Sequence, residues 1–68
     1  MPAQSDHAEL STLRSQLDEL TARVVGVADR YRDTPDSLVA ADLDAAERGL
    51  HAARRAVARA LTTLGPPP

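Results

Sequence analysis

The sequence contains no cysteine, so neither a disulfide nor a thiolate metal site can stabilise the fold. It also contains no Phe or Trp, and Tyr31 is its only aromatic residue. No segment approaches the roughly 20 apolar residues that span a bilayer, and the first residues lack the charge and apolar run of a signal peptide. At 68 residues, the chain is near the smallest size that one hydrophobic core can support. We therefore expect a single cytoplasmic domain that does not enter a membrane.

The residues that are present favour helix. The apolar set consists almost entirely of 13 Ala, 9 Leu and 5 Val, and Ala and Leu are among the strongest helix formers. Ten acidic residues nearly balance eight arginines, which gives a net charge of −2. Proteins that bind nucleic acids or anionic membranes usually carry a strongly basic surface, so we expect neither ligand.

The first half of the chain carries a heptad pattern of apolar residues. The pattern consists of Leu10, Leu13, Leu17, Leu20, Val24, Val27 and Tyr31. The spacings alternate between three and four, with Leu10 at heptad position a, which places these residues on one side of an α-helix. Asp6, followed three residues later by Glu9, has the form of a capping box. We therefore predict the first helix over about 6–32.

A corner follows at 33–36, where the sequence reads Asp-Thr-Pro-Asp. Pro35 disfavours continuation of the first helix and suits the first turn of a new one, with Thr34 as its cap. A second heptad pattern is formed by Val39, Leu43, Ala46, Leu50, Ala53, Val57, Ala60 and Leu64. It predicts a helix over about 36–64. Gly65 and three prolines then form a tail at 65–68 that ends the helix.

Two helices of similar length joined by a short corner must lie antiparallel. The predicted fold is therefore all-α, a coiled-coil-like two-helix hairpin. We expect the two heptad patterns to face one another, with residue i near residue 69 − i. The charges agree with this arrangement, because the arginines late in the second helix then lie beside acidic residues of the first, and the reverse holds near the corner.

Apolar residues outside the two heptad patterns indicate a further layer of packing. On the second helix they form a row at helical spacing, here called the outer row: Leu38, Ala41, Ala45, Gly49, Ala52 and Ala56. Small residues allow another helix to approach closely, although Ala is also a good residue for exposed helix positions. The candidate partner interface is the outer row with Val25, Tyr31 and Leu61. We predict that two hairpins pair into a four-helix bundle.

Two further groups of side chains carry chemistry that could form a site. Asp44, Glu47 and His51 share a helix face, but Glu and His are four residues apart rather than the three of di-iron bundle proteins. We therefore expect an ordinary surface Glu–His pair and no metal or cofactor. The second helix also carries an arginine cluster, Arg48, Arg54, Arg55 and Arg59. We interpret this cluster as a solvated or ion-paired face, and the sequence leaves open whether it contacts an acidic partner.

The sequence favours a protein without enzymatic activity. It has no glycine-rich phosphate loop, no convincing nucleophile with a base, and too few residues to enclose a pocket. We predict a protein–protein interaction or assembly module that forms a homodimer or docks on a larger protein. The alternatives are a small accessory subunit of an enzyme complex and a regulatory factor bound to the transcription or translation machinery.

Overall fold

A computed structural model describes residues 2–66 of the chain, with side chains from residue 5 onward. It consists of two helices, α1 (Pro2–Tyr31) and α2 (Ser37–Leu64), which pack against each other along their length, and residues 2–66 contain no strand. The Cα atoms extend over 53 × 15 × 13 Å. The prediction of an all-α hairpin is therefore confirmed. The last two prolines of the predicted tail lie outside the described residues.

α1 begins earlier than predicted. Its first residue is Pro2, so Asp6 lies inside the helix and cannot be its N-cap. Proline suits the first helical position because the amide hydrogen it lacks would have no partner there, and the Ala and Gln that follow are good helix formers. The predicted start at residue 6, with its capping box, was wrong.

The corner is organised by Thr34. Its hydroxyl donates to the carbonyl of Tyr31 at 2.6 Å and accepts the amide of Asp36 at 3.2 Å. The carbonyl of Thr34 also accepts the amide of Ser37 at 3.1 Å. Asp33 has a φ of 58°, in the left-handed region that often ends a helix. Thr34 therefore stabilises the corner, but the prediction that it caps α2 was wrong. α2 begins at Ser37, one residue after the predicted position, and its N-cap is Asp36, which forms no side-chain capping bond. Pro35 lies in the turn before the helix.

α2 ends where the sequence predicts. Gly65, with a φ of 91°, follows its last residue. The amide of Gly65 donates to the carbonyls of Leu61 and Thr62 at 3.1 and 3.2 Å. Two carbonyls that the last turn leaves without helical partners are thereby satisfied.

The helices contact each other along heptad positions a and e, whereas the sequence suggested a and d. The buried apolar residues, Ala28, Ala40 and Leu61, are 1%, 3% and 8% exposed, and all occupy position e. At position d, Leu13 and Leu20 are 41% and 44% exposed. The prediction that the two heptad patterns face each other fully was therefore wrong, because each helix is rotated about its axis.

Small residues at position d of α2, and at position e near the corner, favour this rotation. Position d of α2 carries only Ala from residue 46 onward, and these side chains are too short to fill the space beside the leucines of α1. Ala28 and Ala40 at position e let the helices approach closely near the corner. The register also differs from 69 − i, since Asp18 pairs with Arg54 rather than lying opposite residue 51.

Candidate functional site

One side of the hairpin carries ion pairs between the helices and is here called the charged side. The guanidinium of Arg32 donates to both carboxylate oxygens of Asp44 at 2.7 and 3.0 Å, and also to Asp29 at 2.9 Å. Farther along, Arg54 donates to Asp18. Arginines therefore lie beside acidic residues of the other helix, as predicted. Exposed pairs of this kind contribute only about 0–1 kcal/mol each, but they favour one rotation of the helices.

The ion pair near the corner perturbs both of its members. The hydrogen bond from Arg32 lowers the pKa of Asp44 below its ordinary value of 3.8, and the charges of Arg32 and Arg48 add to this effect. In return, hydrogen bonds to Asp44 and then Asp29 raise the pKa of Arg32. Because folding lowers the pKa of Asp44, the pair stabilises the fold at pH values above the pKa that Asp44 has in the unfolded chain. That contribution is lost as the pH falls through the folded pKa.

The opposite side of the hairpin is apolar. It is formed by the d positions of both helices, here called the apolar face: Leu13, Leu20, Val27, Val39, Ala46, Ala53 and Ala60. Val39 is 38% exposed, similar to Leu13 and Leu20. An open groove of about 630 Å³ near the termini contains both Leu13 and Ala60. A smaller groove of about 260 Å³, which includes Leu20 and Val27, lies nearer the corner. Large apolar side chains thus line a depression that no part of residues 2–66 covers.

The outer row lies on the surface along its whole length. Its six residues are all exposed, and Leu38 is 80% exposed, the most among the large apolar side chains. A Cβ added at Gly49 would meet no atom within 4 Å. Gly49 and Ala56 occupy position g, directly beside the d positions, so this part of the outer row continues the apolar face across α2.

The remaining members of the predicted interface differ in position. Val25 and Tyr31 are half-buried. Leu61 is only 8% exposed and belongs to the contact between α1 and α2. The prediction that Leu61 lies on a free surface was therefore wrong, since the rotation of α2 turns its position e toward α1.

The possible metal ligands do not converge. Nε2 of His51 lies 3.2 Å from a carboxylate oxygen of Glu47, which is the surface Glu–His pair that the sequence predicts. Asp44 instead holds Arg32. Within the described part of the chain, no three His, Cys, Asp or Glu side chains are grouped so that they could hold a metal ion.

Sequence reasoning missed the apolar face because it assigned the d positions to the hairpin core. The sequence gives little signal for the rotation, because position e carries Ala28, Ala40 and Leu61 but is otherwise polar. An interface that includes position e must turn position d outward, since the two lie on opposite flanks of position a.

Neither helix, over residues 2–66, has a stretch long and apolar enough to cross a membrane. Comparisons with protein-family models, curated proteins and solved structures found no match. A function must therefore be argued from the chain's own surface.

Proposed function

We propose that the chain is a non-enzymatic assembly module that pairs with a second copy of itself through the apolar face. The observation that supports this proposal is the row of exposed large side chains on that face. Leu13 and Leu20 have about two fifths of their surface open to solvent. They lie two helical turns apart on α1, beside the alanines of α2. Burial of such a row is favourable by about 25 cal/mol per Å², and a second hairpin supplies a matching surface.

The total exposed area supports the same proposal. A compact monomer of 7.2 kDa is expected to expose roughly 4100 Å², whereas the hairpin exposes 4870 Å². The excess of about 750 Å² is close to the roughly 800 Å² that each partner buries in an interface of standard size. Two hairpins packed on their apolar faces would form a four-helix bundle and remove about this excess.

The small core of the hairpin gives a reason for association. The buried apolar residues in the described range are two alanines and one leucine, Ala28, Ala40 and Leu61. A core of this size contributes little against the conformational entropy lost on folding. Because the chain has no cysteine, it does not require an oxidising compartment, and we place this assembly in the cytoplasm.

Sedimentation equilibrium at micromolar concentration tests the proposal. The wild-type chain should have twice its mass of 7.2 kDa. Ala53→Glu should convert it to a monomer, because Ala53 lies in the middle of the apolar face and a carboxylate there would be buried without a partner. Ala22→Glu is the matched control, since Ala22 is an exposed helix residue on the far side of α1, and it should leave the dimer intact.

Three results would contradict self-association. A wild-type chain that unfolds cooperatively as a monomer needs no second copy. An Ala53→Glu variant that remains dimeric shows that another surface mediates pairing. A chain with little helix when pure favours the alternative in which the hairpin folds on a larger protein, as an accessory subunit or a regulatory factor would.

A further inference from the structure

The apolar face permits two symmetric arrangements of a pair of hairpins, and the distribution of charge distinguishes them. In one arrangement the two corners lie at the same end of the bundle, and each α1 packs on the partner's α2. In the other, the corners lie at opposite ends, so each helix packs antiparallel on its own copy. Resting on the proposed self-association, we propose that the corners lie at opposite ends.

The two ends of the hairpin carry opposite charge. The corner end, residues 29–44, contains five acidic residues and two arginines. The terminal end, residues 5–14 and 54–66, contains four arginines and two acidic residues. Corners at opposite ends place each acidic end over a basic one, whereas corners at the same end place like charge over like charge. Complementary potentials favour the first arrangement and disfavour the second.

The surface of α2 matches its own copy in the antiparallel direction. Between residues 46 and 60, positions d and g of α2 form a stripe with no side chain larger than a methyl group: Ala46, Gly49, Ala53, Ala56 and Ala60. A two-fold axis at Ala53 places Ala46 over the partner's Ala60 and Gly49 within one residue of the partner's Ala56. Such residues allow an interaxial distance near the lower limit of about 8 Å. Two α2 helices can then pack closely along this whole stripe.

The surface of α1 also matches its own copy, about a two-fold axis at the same level of the hairpin. Arg54 pairs with Asp18, which places Leu20 within about one residue of the level of Ala53. An axis at Leu20 pairs Leu13 with the partner's Val27. The position g residues beside this row are Glu9, Gln16, Arg23 and Arg30. The same axis brings Glu9 within one residue of the partner's Arg30. One axis therefore satisfies both helices.

Disulfide cross-linking tests the arrangement, because the chain has no cysteine of its own. Ala53→Cys lies on the proposed axis and should form a disulfide-linked dimer on mild oxidation. Ala46→Cys is the matched control, because residue 46 of one chain lies far from residue 46 of the other. It should cross-link about tenfold more slowly, but it should link efficiently to a separate Ala60→Cys chain. Disulfides need Cα atoms about 4.4–6.8 Å apart, so only directly facing positions qualify.

The alternative arrangement, with both corners at the same end, predicts a different pattern of cross-links. With the corners at the same end, Ala53 faces the partner's Leu20, so a mixture of Ala53→Cys and Leu20→Cys chains would cross-link while Ala53→Cys alone would not. That result with a dimer in sedimentation overturns the arrangement and leaves the proposed function standing. A monomeric mass for the reduced variants and for the wild type overturns both.

Salt provides a second measurement that needs no substitution. Attraction between the acidic and basic ends should weaken as ionic strength rises, because salt screens exposed charges. The dimer dissociation constant should therefore increase by about threefold or more between low and high salt. A constant that stays the same or decreases contradicts the opposite-end arrangement, since like-charged ends would repel less in salt.

Discussion

Gly26 lies in the middle of α1 on an exposed position, and its replacement by Ala should stabilise the protein. A Cβ added at Gly26 would meet no atom within 4 Å, so the substitution introduces no clash and no new contact. The whole difference in helix propensity, about 1 kcal/mol per substitution, should then be gained. For a domain of this size, 1 kcal/mol corresponds to an increase in melting temperature of about 4–8 °C.

Urea unfolding followed by circular dichroism at one fixed protein concentration measures this gain. The midpoint of unfolding should increase while the dependence of the free energy on urea stays unchanged, because the buried surface does not change. Holding the concentration fixed matters, since association contributes to apparent stability. A midpoint that is unchanged or lower for Gly26→Ala would refute the reasoning, because it would mean that another chain fills the space beside α1.

Gly49→Ala is the informative comparison. The same substitution meets the same open space in the hairpin, but Gly49 borders the apolar face and the proposed contact between two α2 helices. Its gain should be smaller than that of Gly26→Ala, and the difference should grow with protein concentration. Equal gains at all concentrations would place Gly49 outside any interface.

Three further substitutions test separate parts of the fold. Leu61→Ala should destabilise the protein by about 2 kcal/mol or more in urea unfolding because it leaves a cavity at a buried position, whereas Leu38→Ala, at 80% exposure, should change stability by less than about 0.5 kcal/mol. Asp33→Gly should stabilise by about 0.5 kcal/mol, since glycine adopts a φ of 58° more readily. Asp44→Asn should lower the urea midpoint at neutral pH, and its difference from wild type should vanish in acid below the lowered pKa of Asp44, where the carboxylate that pairs with Arg32 is protonated.

Each of these has an outcome that contradicts it. A large loss in Leu38→Ala would mean that a partner covers the outer row at this end. Asp42→Gly, in the interior of α2, is the control for Asp33→Gly and should destabilise the protein by about 0.5 kcal/mol. If both substitutions change stability in the same direction, Asp33 does not adopt a left-handed conformation at the corner. A pH-independent difference for Asp44→Asn would show that the pair with Arg32 does not form in solution.

The fold was largely predictable because its signals are local. Heptad spacing identifies helices without knowledge of their partners, and Pro35 with Thr34 identifies the corner from backbone chemistry alone. The start of α1 was not predictable to within four residues, because Pro2 and Asp6 are each suited to a helix start. Pro2 suits a first turn because it has no amide hydrogen that needs a partner. Asp6 suits it because its carboxylate can accept a hydrogen bond from a free backbone amide.

The candidate interface was less predictable because rotation about a helix axis depends on packing between helices. The heptad pattern states which residues are apolar, but not which flank of position a turns toward the neighbour. Here that choice follows from Ala28 and Ala40, which allow close approach, and from the ion pair of Asp18 with Arg54 on the same flank. Leu61 was misplaced for this reason, and Leu20 was assigned to a core that it only borders.

The two flanks of position a also explain why a heptad pattern this regular leaves so much apolar surface exposed. A helix in a four-helix bundle has two neighbours, one beside its e positions and one beside its g positions, while positions a and d point to the common centre. The hairpin uses the flank with position e for its own contact. The flank with positions d and g is left free on both helices, with leucines on α1 and small residues on α2. A chain that functions as a lone hairpin has no need of apolar residues at position d. The heptad pattern therefore supports the proposal that each helix has two neighbours, one within the hairpin and one in a second copy.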